Sequence, residues 1–263
     1  MRIDSHMHVW SFPGVEYYDN RPLFEYMEGL KLNKTSLIAV NDRENEQVKE
    51  LVSKYPDQFF GIAHVNRERL EESLAALREG VNQGWYSGVK VLSYAGGFHV
   101  DDDIQMKIYG ECLNLGIPVL FHVGWHNAGS VKPADAAGGA NTCKYACVGL
   151  PVELGNVLEA YPDLKTVFAH MGAEHYFQCL GMAQRFPNVY LDTAWLDHYG
   201  SERLPQITVQ EWVAHACRYL GADRVLYGGE YTTPEDIEQA PVTAAEKRQI
   251  LGYNAARLYG LSG

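Results

Sequence analysis

Two histidines lie one residue apart near the start of the chain. His6 and His8 fall within the run IDSHMHVW, residues 3–10. Side chains two positions apart on a β-strand point to the same face, so both imidazoles can reach one point in space. Neutral imidazole is a common metal ligand. The pair therefore predicts a metal site at the end of a first strand.

Other side chains that can bind metal recur at the carboxyl ends of later predicted strands. They are Lys90, His122, His170, Asp192 and Glu230. A polar residue inside an apolar strand carries a desolvation cost, so repeated placement at one end of a sheet indicates a shared cause, and metal binding supplies one. Imidazole and carboxylate ligands suit Zn²⁺ and also Mn²⁺, Fe²⁺ or Co²⁺. A buried salt bridge explains Lys90 equally well, and Asp192 can equally cap a loop or orient a neighbour.

Eight short β-rich runs alternate with segments of helical periodicity. The predicted strands cover residues 2–9, 35–40, 58–65, 87–93, 117–123, 164–170, 188–194 and 223–229. Between them, apolar residues recur at intervals of three and four, as in Leu70, Leu74, Leu77 and Val81. Eight βα repeats with apolar strands predict an α/β fold, a single (β/α)8 TIM barrel spanning residues 1–263. An open doubly wound sheet is the alternative, but it would predict a glycine-rich nucleotide loop that the sequence lacks.

The two longest irregular segments follow the first and fifth predicted strands. They cover residues 12–33 and 124–150. Loops that follow strands lie on the catalytic face of a barrel, so both segments are predicted to shape or cover a pocket. Arg21, in the first segment, is a candidate for binding a substrate carboxylate.

Composition and charge restrict the class of partner. The chain of 263 residues carries a formal net charge of −11 at pH 7, which disfavours a nucleic acid because nucleic-acid binders need a positive surface. No apolar run is long enough to span a bilayer, and no signal region precedes His6. We therefore expect a cytoplasmic protein with a small-molecule substrate and no membrane partner. The five cysteines argue for reduced thiols, and a homodimer is left open.

Six segments, taken in order, resemble the amidohydrolase-2 branch of the amidohydrolase superfamily. They read DSHMHVW, GVKVLSYAGGFHVDDDIQMKIYGECLNLGIPVLFHVG, LKTVFAHMG, NVYLDTAW, RVLYGGEY and ILGYNAARLYGL, and the resemblance extends from residue 3 to residue 261. That branch holds metal-dependent barrel hydrolases related to the aminocarboxymuconate semialdehyde decarboxylase group. The resemblance therefore implies a metal-dependent hydrolase with a TIM-barrel fold.

The resemblance also implies roles for individual residues. His6, His8 and His122 would bind the catalytic metal, and His170 would activate water, polarise the substrate or bind a second metal. The strand-eight motif of the family is usually a Gly-Ser-Asp-Tyr-Pro-like run whose Asp binds the metal and moves protons, whereas this chain reads GGEYTTP with Glu230 at that position. We favour Glu230 reaching the metal from a retracted backbone. Binding through water and loss of the usual chemistry are the alternatives.

One metal ion is preferred over two. In superfamily members of the phosphotriesterase type, a carboxylated lysine on strand four bridges two metals beside histidines on strands five and six, and Lys90, His122 and His170 occupy that pattern. The amidohydrolase-2 branch often has the same lysine without bridging. We therefore expect a mononuclear site, with Zn²⁺ preferred. Candidates for a second metal or for substrate are Lys90, His170, Asp192 and Arg21.

The expected reaction is hydrolysis of a C–N or C–O bond in a small amide, cyclic imide, ester or lactone by metal-activated water. Glu230 would take the proton from that water and pass it to the leaving group, while His170 stabilises the developing negative oxygen. Nonoxidative decarboxylation of a small unsaturated or aromatic acid is the main alternative, with Arg21 available to bind the carboxylate. A weakly active or non-catalytic barrel, because Glu230 replaces the usual Asp, is another. A metal-dependent deoxyribonuclease is disfavoured by the acidic charge.

Overall fold

Eight parallel strands form one sheet whose strand order follows the chain. The structure, a computed structural model, describes residues 1–9, 23–124, 149–201 and 203–261. From β1 to β8 the strands are Ile3–Asp4, Lys34–Ile38, Phe59–Ala63, Tyr86–Val91, Val119–Phe121, Thr166–Phe168, Val189–Asp192 and Val225–Leu226. All eight predicted strands are therefore confirmed.

A backbone hydrogen bond joins the first strand to the last. The amide of Ser5 donates to the carbonyl of Tyr227 at 3.0 Å, and the Ser5 hydroxyl donates to the same oxygen at 2.7 Å. Together with the seven parallel pairings from β1 to β8, this contact curls the sheet into a barrel. The architecture is the predicted TIM barrel.

Some strands are shorter than predicted, and the difference falls on the histidines. β1 ends at Asp4 and β6 ends at Phe168, so His6 and His170 lie beyond the strands; His8 forms only an isolated parallel bridge with Ile38. The strands end early because the amides of His6 and His170 donate to side-chain carboxylates. The His6 amide donates to the Asp4 carboxylate at 2.9 Å and the His170 amide to a carboxylate of β7 at 2.8 Å, rather than to neighbouring strands.

Helices follow the strands and cover the outside of the barrel. From α1 to α12 they are Leu23–Leu30, Asp42–Lys54, Leu70–Asn82, Ser93–Gly96, Asp103–Leu115, Pro151–Ala160, Tyr176–Arg185, Leu196–Ser201, Val209–Leu220, Pro234–Gln239, Ala244–Arg248 and Asn254–Tyr259. The predicted amphipathic spacing is confirmed in α3, where Leu74 and Leu77 are buried. Within the described ranges, no helix combines the length and the apolar character that crossing a membrane requires.

The first of the two segments predicted to be irregular contains a helix. α1 occupies residues 23–30 of the segment 12–33. It forms because Tyr26 and Met27 are buried on one side of the helix while Phe24 and Glu25 face solvent, a helical pattern too short to stand out in the sequence. Residues 10–22 and 125–148, with Arg21 among them, lie outside the described residues.

Apolar side chains form two layers, one inside the barrel and one between strands and helices. The inner layer includes Ile3, Ile38, Phe60, Ile62, Leu120, Val167 and Leu226. α12 contributes Leu258 and Tyr259 to this layer, and the Tyr259 ring lies 5.1 Å from that of Phe60. The packed interior leaves the polar residues at the carboxyl ends of the strands as the place for chemistry.

Candidate metal centre

The described side chains predicted to do chemistry meet at the carboxyl ends of the strands. All of them are buried, with exposed fractions between 0% and 8%; they are His6, His8, Lys90, His122, His170, Asp192 and Glu230. Their positions follow from the parallel sheet, because the carboxyl ends of parallel strands lie at the same rim of a barrel. The structure thus brings together residues that are separated by more than 200 positions in the chain.

His6 lies at the middle of this cluster. Its Nδ1 is 2.7 Å from Oδ2 of Asp192, and its Nε2 is 3.1 Å from the Lys90 ammonium nitrogen. Since the carboxylate can only accept, Nδ1 carries the proton and Nε2 presents its lone pair. Burial lowers the pKa of His6 and the positive charge of Lys90 lowers it further. His6 is therefore a neutral imidazole, the form that binds metal.

Glu230 lies between the two histidines of the first motif. Its Oε2 is 3.7 Å from Nε2 of His6 and its Oε1 is 3.5 Å from Nε2 of His8. Burial raises the pKa of Glu230, and the positive charge of Lys90 partly opposes this shift. The carboxylate that replaces the usual Asp is thus directed at the predicted ligands rather than away from them.

His170 sits on a strained turn after β6. It has a φ of 58°, and Met171, Gly172 and Ala173 continue with φ of 51°, 84° and 46°. Left-handed backbone of this kind costs on the order of 1–3 kcal/mol for a residue other than glycine, and it clusters at functional sites. The turn is held at its start, because the amide of His170 donates to Oδ1 of Asp192.

The protonation of His170 and His122 follows from their hydrogen bonds. Nδ1 of His170 is 2.8 Å from the carbonyl oxygen of Ala194 and must donate to it. Burial lowers the pKa of His170 to about 3, so the ring is neutral and Nε2 accepts. Its partner at 3.2 Å is Nδ1 of His122, which donates and leaves the lone pair of His122 on Nε2. Both rings are therefore fixed in one tautomer.

Asp192 orients its neighbours in this structure. Its Oδ2 accepts from the His6 ring, and its Oδ1 accepts from the amides of His170 at 2.8 Å and Ala194 at 3.1 Å. Both carboxylate oxygens are thus used to hold two histidines in place. Of the two explanations open from the sequence, a metal or substrate role and an orienting role, these contacts match the orienting role.

Lys90 enters the cluster as a buried cation. Burial lowers its pKa, whereas the carboxylates of Glu230 and Asp192 raise it. Its ammonium donates to Nε2 of His6, so a positive charge lies beside the nitrogen that presents a lone pair. Lys90 is thus a buried cation stabilised by the nearby negative charges of Glu230 and Asp192.

The donor set fits a divalent cation. Ligand atoms of His6, His170 and Glu230 all lie within 4.8 Å of one another. Nε2 of His8 lies 3.5 Å from the Glu230 carboxylate and so belongs to the same group. Neutral imidazoles combined with a carboxylate are ligands that Zn²⁺ and Mn²⁺ accept. A buried group of lone pairs and negative oxygens is also stabilised by a cation, since burial alone disfavours the carboxylate charge.

Two groups of residues at the site were missed by sequence reasoning. Asp4 is buried between β1 and β8, where its carboxylate accepts hydrogen bonds from His6 and Gly229; its position two residues before His6 was the available signal. Aromatic rings form the second group. Tyr94 lies 4.5 Å from the His122 ring, and further rings approach His170.

Besides the neighbouring histidines, the rings of Trp195 and Tyr199 approach His170, at centroid distances of 6.2 and 5.6 Å. Trp195 follows β7 directly, so its place in the sequence is compatible with lining a pocket and equally with packing. Tyr199 and Tyr94 gave no signal, because a single aromatic residue in a short helix is indistinguishable from packing. Together these rings give the site an apolar wall beside its histidines.

Known proteins resemble this chain in sequence and in fold. A family model described as amidohydrolase (Amidohydro_2) matches residues 3–261. A 2-amino-3-carboxymuconate-6-semialdehyde decarboxylase from Dictyostelium discoideum is 25% identical, with 82% of this chain and 65% of that protein covered. The chain therefore spans less than two-thirds of the length of this relative.

Solved structures share the fold over the whole chain. An uncharacterised TIM-barrel protein from Bordetella bronchiseptica has a TM-score of 0.72 at 20% identity, with 99% of this chain and 98% of the other covered. A 2,6-dihydroxybenzoate decarboxylase from Rhizobium has a TM-score of 0.69 at 17% identity, with coverage of 100% and 99%. A 5-carboxyvanillate decarboxylase from Novosphingobium aromaticivorans, complexed with manganese, has a TM-score of 0.69 at 16% identity, with coverage of 99% and 96%. With the family model matching 259 of 263 residues, from 3 to 261, the chain belongs to the amidohydrolase-2 family.

Proposed function

We propose that the chain is a metal-dependent decarboxylase that removes CO₂ from a small unsaturated or aromatic acid without oxidation. The observation that carries this proposal is the buried cluster of His6, His170 and Glu230, whose ligand atoms lie within 4.8 Å of one another at the rim of the barrel. Its support comes from relatives named as decarboxylases, one by sequence and several by fold. The alternative reading of the sequence thus becomes the preferred one.

Four side chains are proposed to hold one divalent cation. They are His6, His8, His122 and Glu230. When bound, the cation supplies positive charge that binds substrate oxygens and stabilises the negative charge that develops as the carboxyl group leaves. Zn²⁺ is preferred on ligand chemistry, and Mn²⁺ is the alternative, supported by the manganese in the 5-carboxyvanillate decarboxylase structure.

Decarboxylation exchanges a carboxylate for a proton at the same carbon. The C–C bond to the carboxylate breaks and leaves its electron pair on the carbon, CO₂ departs, and a proton from the protein forms the new C–H bond. Glu230 is the proposed proton carrier, since its carboxyl group faces both His6 and His8 at the rim of the barrel. Asp192 and Asp4 are poorer candidates because both oxygens of each already accept hydrogen bonds.

His170 is proposed to orient the substrate as a neutral ring. Its pKa of about 3 keeps it uncharged at physiological pH, and its donation to Ala194 fixes the ring. The aromatic rings of Tyr94, Trp195 and Tyr199 beside the histidines favour a flat, unsaturated substrate. Arg21 stays a prediction for binding a substrate carboxylate.

Hydrolysis is the second candidate, and a specific contact favours it. The Glu230 carboxylate lies within 3.7 Å of both His6 and His8, which is the arrangement needed to take a proton from water held by the same cation. The two reactions share their residues and differ in the bond that breaks. Decarboxylation breaks a C–C bond and protonates the carbon that remains, whereas hydrolysis breaks a C–N or C–O bond by addition of water. Products therefore distinguish them.

The test measures both kinds of product with one preparation. Protein loaded with Zn²⁺ or Mn²⁺ is incubated in D₂O with 2,6-dihydroxybenzoate, 5-carboxyvanillate and 2-amino-3-carboxymuconate-6-semialdehyde, and separately with lactones, cyclic imides and aryl esters. We expect CO₂ release with deuterium at the carbon that lost the carboxyl group, and loss of activity after chelation. Glu230→Gln is the inactive variant, and Glu174→Gln, outside the metal cluster, is its control.

Three outcomes contradict the decarboxylase. Hydrolytic products without CO₂ assign the second candidate instead. Metal bound in the expected ratio with neither product supports a non-catalytic barrel. CO₂ release that continues after the metal has been removed rules out a metal-dependent mechanism.

A further inference from the structure

A left-handed turn carries Glu230 at the end of β8. Glu230 and Tyr231 have φ of 47° and 72°, a conformation that residues other than glycine seldom adopt. Such a turn persists only where neighbouring groups hold the backbone. The position of the Glu230 carboxylate therefore depends on whatever holds this turn.

Asp4 holds the residue before Glu230. Its Oδ1 accepts the amide of Gly229 at 2.8 Å and the amide of His6 at 2.9 Å. The carboxylate has no exposed surface, so these bonds form away from competing water. A single oxygen thus ties the backbone that carries His6 to the backbone that carries Glu230.

Tyr26 of α1 completes the contact from outside the barrel. Its hydroxyl donates to Oδ2 of Asp4 at 2.7 Å, and its side chain is buried. The backbone approaches so closely here that a Cβ on Gly229 would lie 2.4 Å from both Oδ2 of Asp4 and the Tyr26 hydroxyl. Tyr26 therefore fixes the carboxylate of Asp4 against the backbone of the turn.

Tyr227 and Trp195 hold the other side of the turn. The hydroxyl of Tyr227 donates to the carbonyl oxygen of Thr232 at 3.1 Å. The amide of Trp195 donates to the carbonyl of Glu230 at 2.9 Å. The turn from Gly229 to Thr232 is thereby fixed at both ends and in its middle.

We propose that Asp4, Tyr26 and Tyr227 are positioning residues that hold this turn and so set where the Glu230 carboxylate meets His6 and His8. The inference rests on the proposed metal site. The turn needs this support because residue 230 is a glutamate. Relative to aspartate, its extra methylene displaces the carboxylate by about a C–C bond length, while functional groups tolerate a displacement of roughly 0.5 Å. Through Asp4, α1 thereby contributes to the positions of His6 and Glu230.

The experiment compares the Co²⁺ binding of two phenylalanine variants with that of the wild type. Tyr26→Phe removes the hydroxyl that reaches Asp4 and keeps the ring. Tyr161→Phe is the matched control, since its hydroxyl also donates to an oxygen, the Met106 carbonyl at 2.9 Å. Tyr161 ends α6 and precedes the amino end of β6, whereas the cluster lies at the carboxyl ends of the strands. Each protein is titrated with Co²⁺, whose visible absorption reports the geometry of its ligands, and each thermal midpoint is measured without metal.

For Tyr26→Phe we expect Co²⁺ binding to weaken by roughly 10-fold, the lower end of the range found when a direct partner of a metal ligand is lost, because Tyr26 acts through Asp4. The absorption of the loaded protein should also change, and kcat should fall more than KM rises. Tyr161→Phe should match the wild type in all three. A purely structural role for Tyr26 would lower the thermal midpoint and leave the absorption unchanged.

Unchanged Co²⁺ affinity and absorption in folded Tyr26→Phe overturn the inference. If that variant does not fold, Tyr227→Phe carries the same expectation and decides the question. A wild-type protein that binds no Co²⁺ overturns the proposed metal site and this inference with it. A wild-type protein that binds Co²⁺ but releases no CO₂ counts only against the decarboxylase, so the two failures are distinguishable.

Discussion

At the scale of single residues, the site is built from buried polar groups whose protonation is fixed by their neighbours. Asp192 holds the His6 ring and the His170 backbone, and the carbonyl of Ala194 holds the His170 ring. Each histidine is therefore neutral with its lone pair on a known nitrogen. Such an arrangement is prepared for a cation before the cation arrives.

Alanine at His6 tests the proposed ligands directly. We expect metal affinity to fall by on the order of 100-fold or more, beyond what losing a partner of a ligand costs, and activity to fall with it. Isothermal titration with Zn²⁺ measures the change. His64→Ala is the control, because His64 is half-buried at the end of β3 and its backbone is held by Asn45. Equal metal content in both variants would contradict the assignment.

Aspartate at position 230 tests whether the longer side chain is required. In Glu230→Asp the carboxylate withdraws by one methylene while the turn stays in place, and a displacement of about 1 Å can lower kcat roughly 100-fold. We expect that loss, and a still lower kcat for Glu230→Gln, which keeps the length and cannot carry the proton. Steady-state CO₂ release measures both. An aspartate variant as active as the wild type would show that the extra methylene is not needed.

At the scale of elements, polar contacts at the catalytic face tie the ends of helices to the loops beside them. Asp102 caps α5 by accepting the amides of Ile104 at 3.1 Å and Gln105 at 2.9 Å. It also pairs with both terminal nitrogens of Arg67, which precedes α3. The guanidinium of Arg67 in turn stacks on Phe98. One carboxylate thus joins the β3–α3 and β4–α5 connections.

The charge of Asp102 makes this contact depend on pH. Burial alone raises its pKa, but the hydrogen bonds from Arg67 and the helix amides outweigh burial and lower it below 3.8. A carboxyl whose pKa is lowered in the folded state stabilises that state above its unfolded pKa, and this stability is lost as pH falls through the folded pKa. The contribution should therefore be present at pH 5 and disappear toward pH 3.

Asparagine at position 102 separates the charge from the cap, since asparagine also caps helices well. We expect Asp102→Asn to lower the free energy of unfolding by about 0.5–1 kcal/mol at pH 6, the range of a partly exposed ion pair, and Asp102→Ala to lower it by about 1 kcal/mol more. Urea unfolding between pH 3 and pH 6 should show the wild type and Asp102→Asn converging at low pH. Asp163→Asn, at an exposed position, should show no such convergence; a gap for Asp102→Asn that is constant with pH would contradict the mechanism.

At the scale of the whole molecule, closure of the barrel is what gathers the ligands. Ser5 joins β1 to β8, so the first motif of the chain lies beside the last. A cation held between them would bind the folded state and not the unfolded chain. Metal binding is therefore coupled to the stability of the entire barrel.

Metal addition should raise the thermal midpoint of the protein. At a free metal concentration about 100 times Kd, the stabilisation is about 2.7 kcal/mol, which corresponds to roughly 5–10 °C for a domain of this size. Differential scanning calorimetry of the chelated and reloaded protein measures the shift. His6→Ala should show a shift near zero, and an equal shift in that variant would place the metal elsewhere.

The sequence alone determined the eight strands, the barrel and the family, because each depends on local pattern. Apolar β-rich runs predict the strands, and the alternation of strands with helices predicts that neighbouring strands pair in parallel. The sequence also singled out the described histidines, Lys90, Asp192 and Glu230 as candidates, since a polar side chain at the end of an apolar strand is costly without a purpose. Asp4, Tyr94 and Tyr199 were missed. The irregular reading of residues 23–30 was wrong because burial against the barrel, rather than local pattern, stabilises α1.

Only the tertiary structure decided which atoms face one another. The 3.7 Å between His6 and Glu230, the sharing of Asp192 by two histidines and the hold of Tyr26 on Asp4 all join residues from distant parts of the chain. Side-chain type shows that a residue can bind or donate, whereas distance and burial determine whether it does. The left-handed turns at His170 and Glu230 also depend on the tertiary structure, since contacts from other parts of the chain hold them.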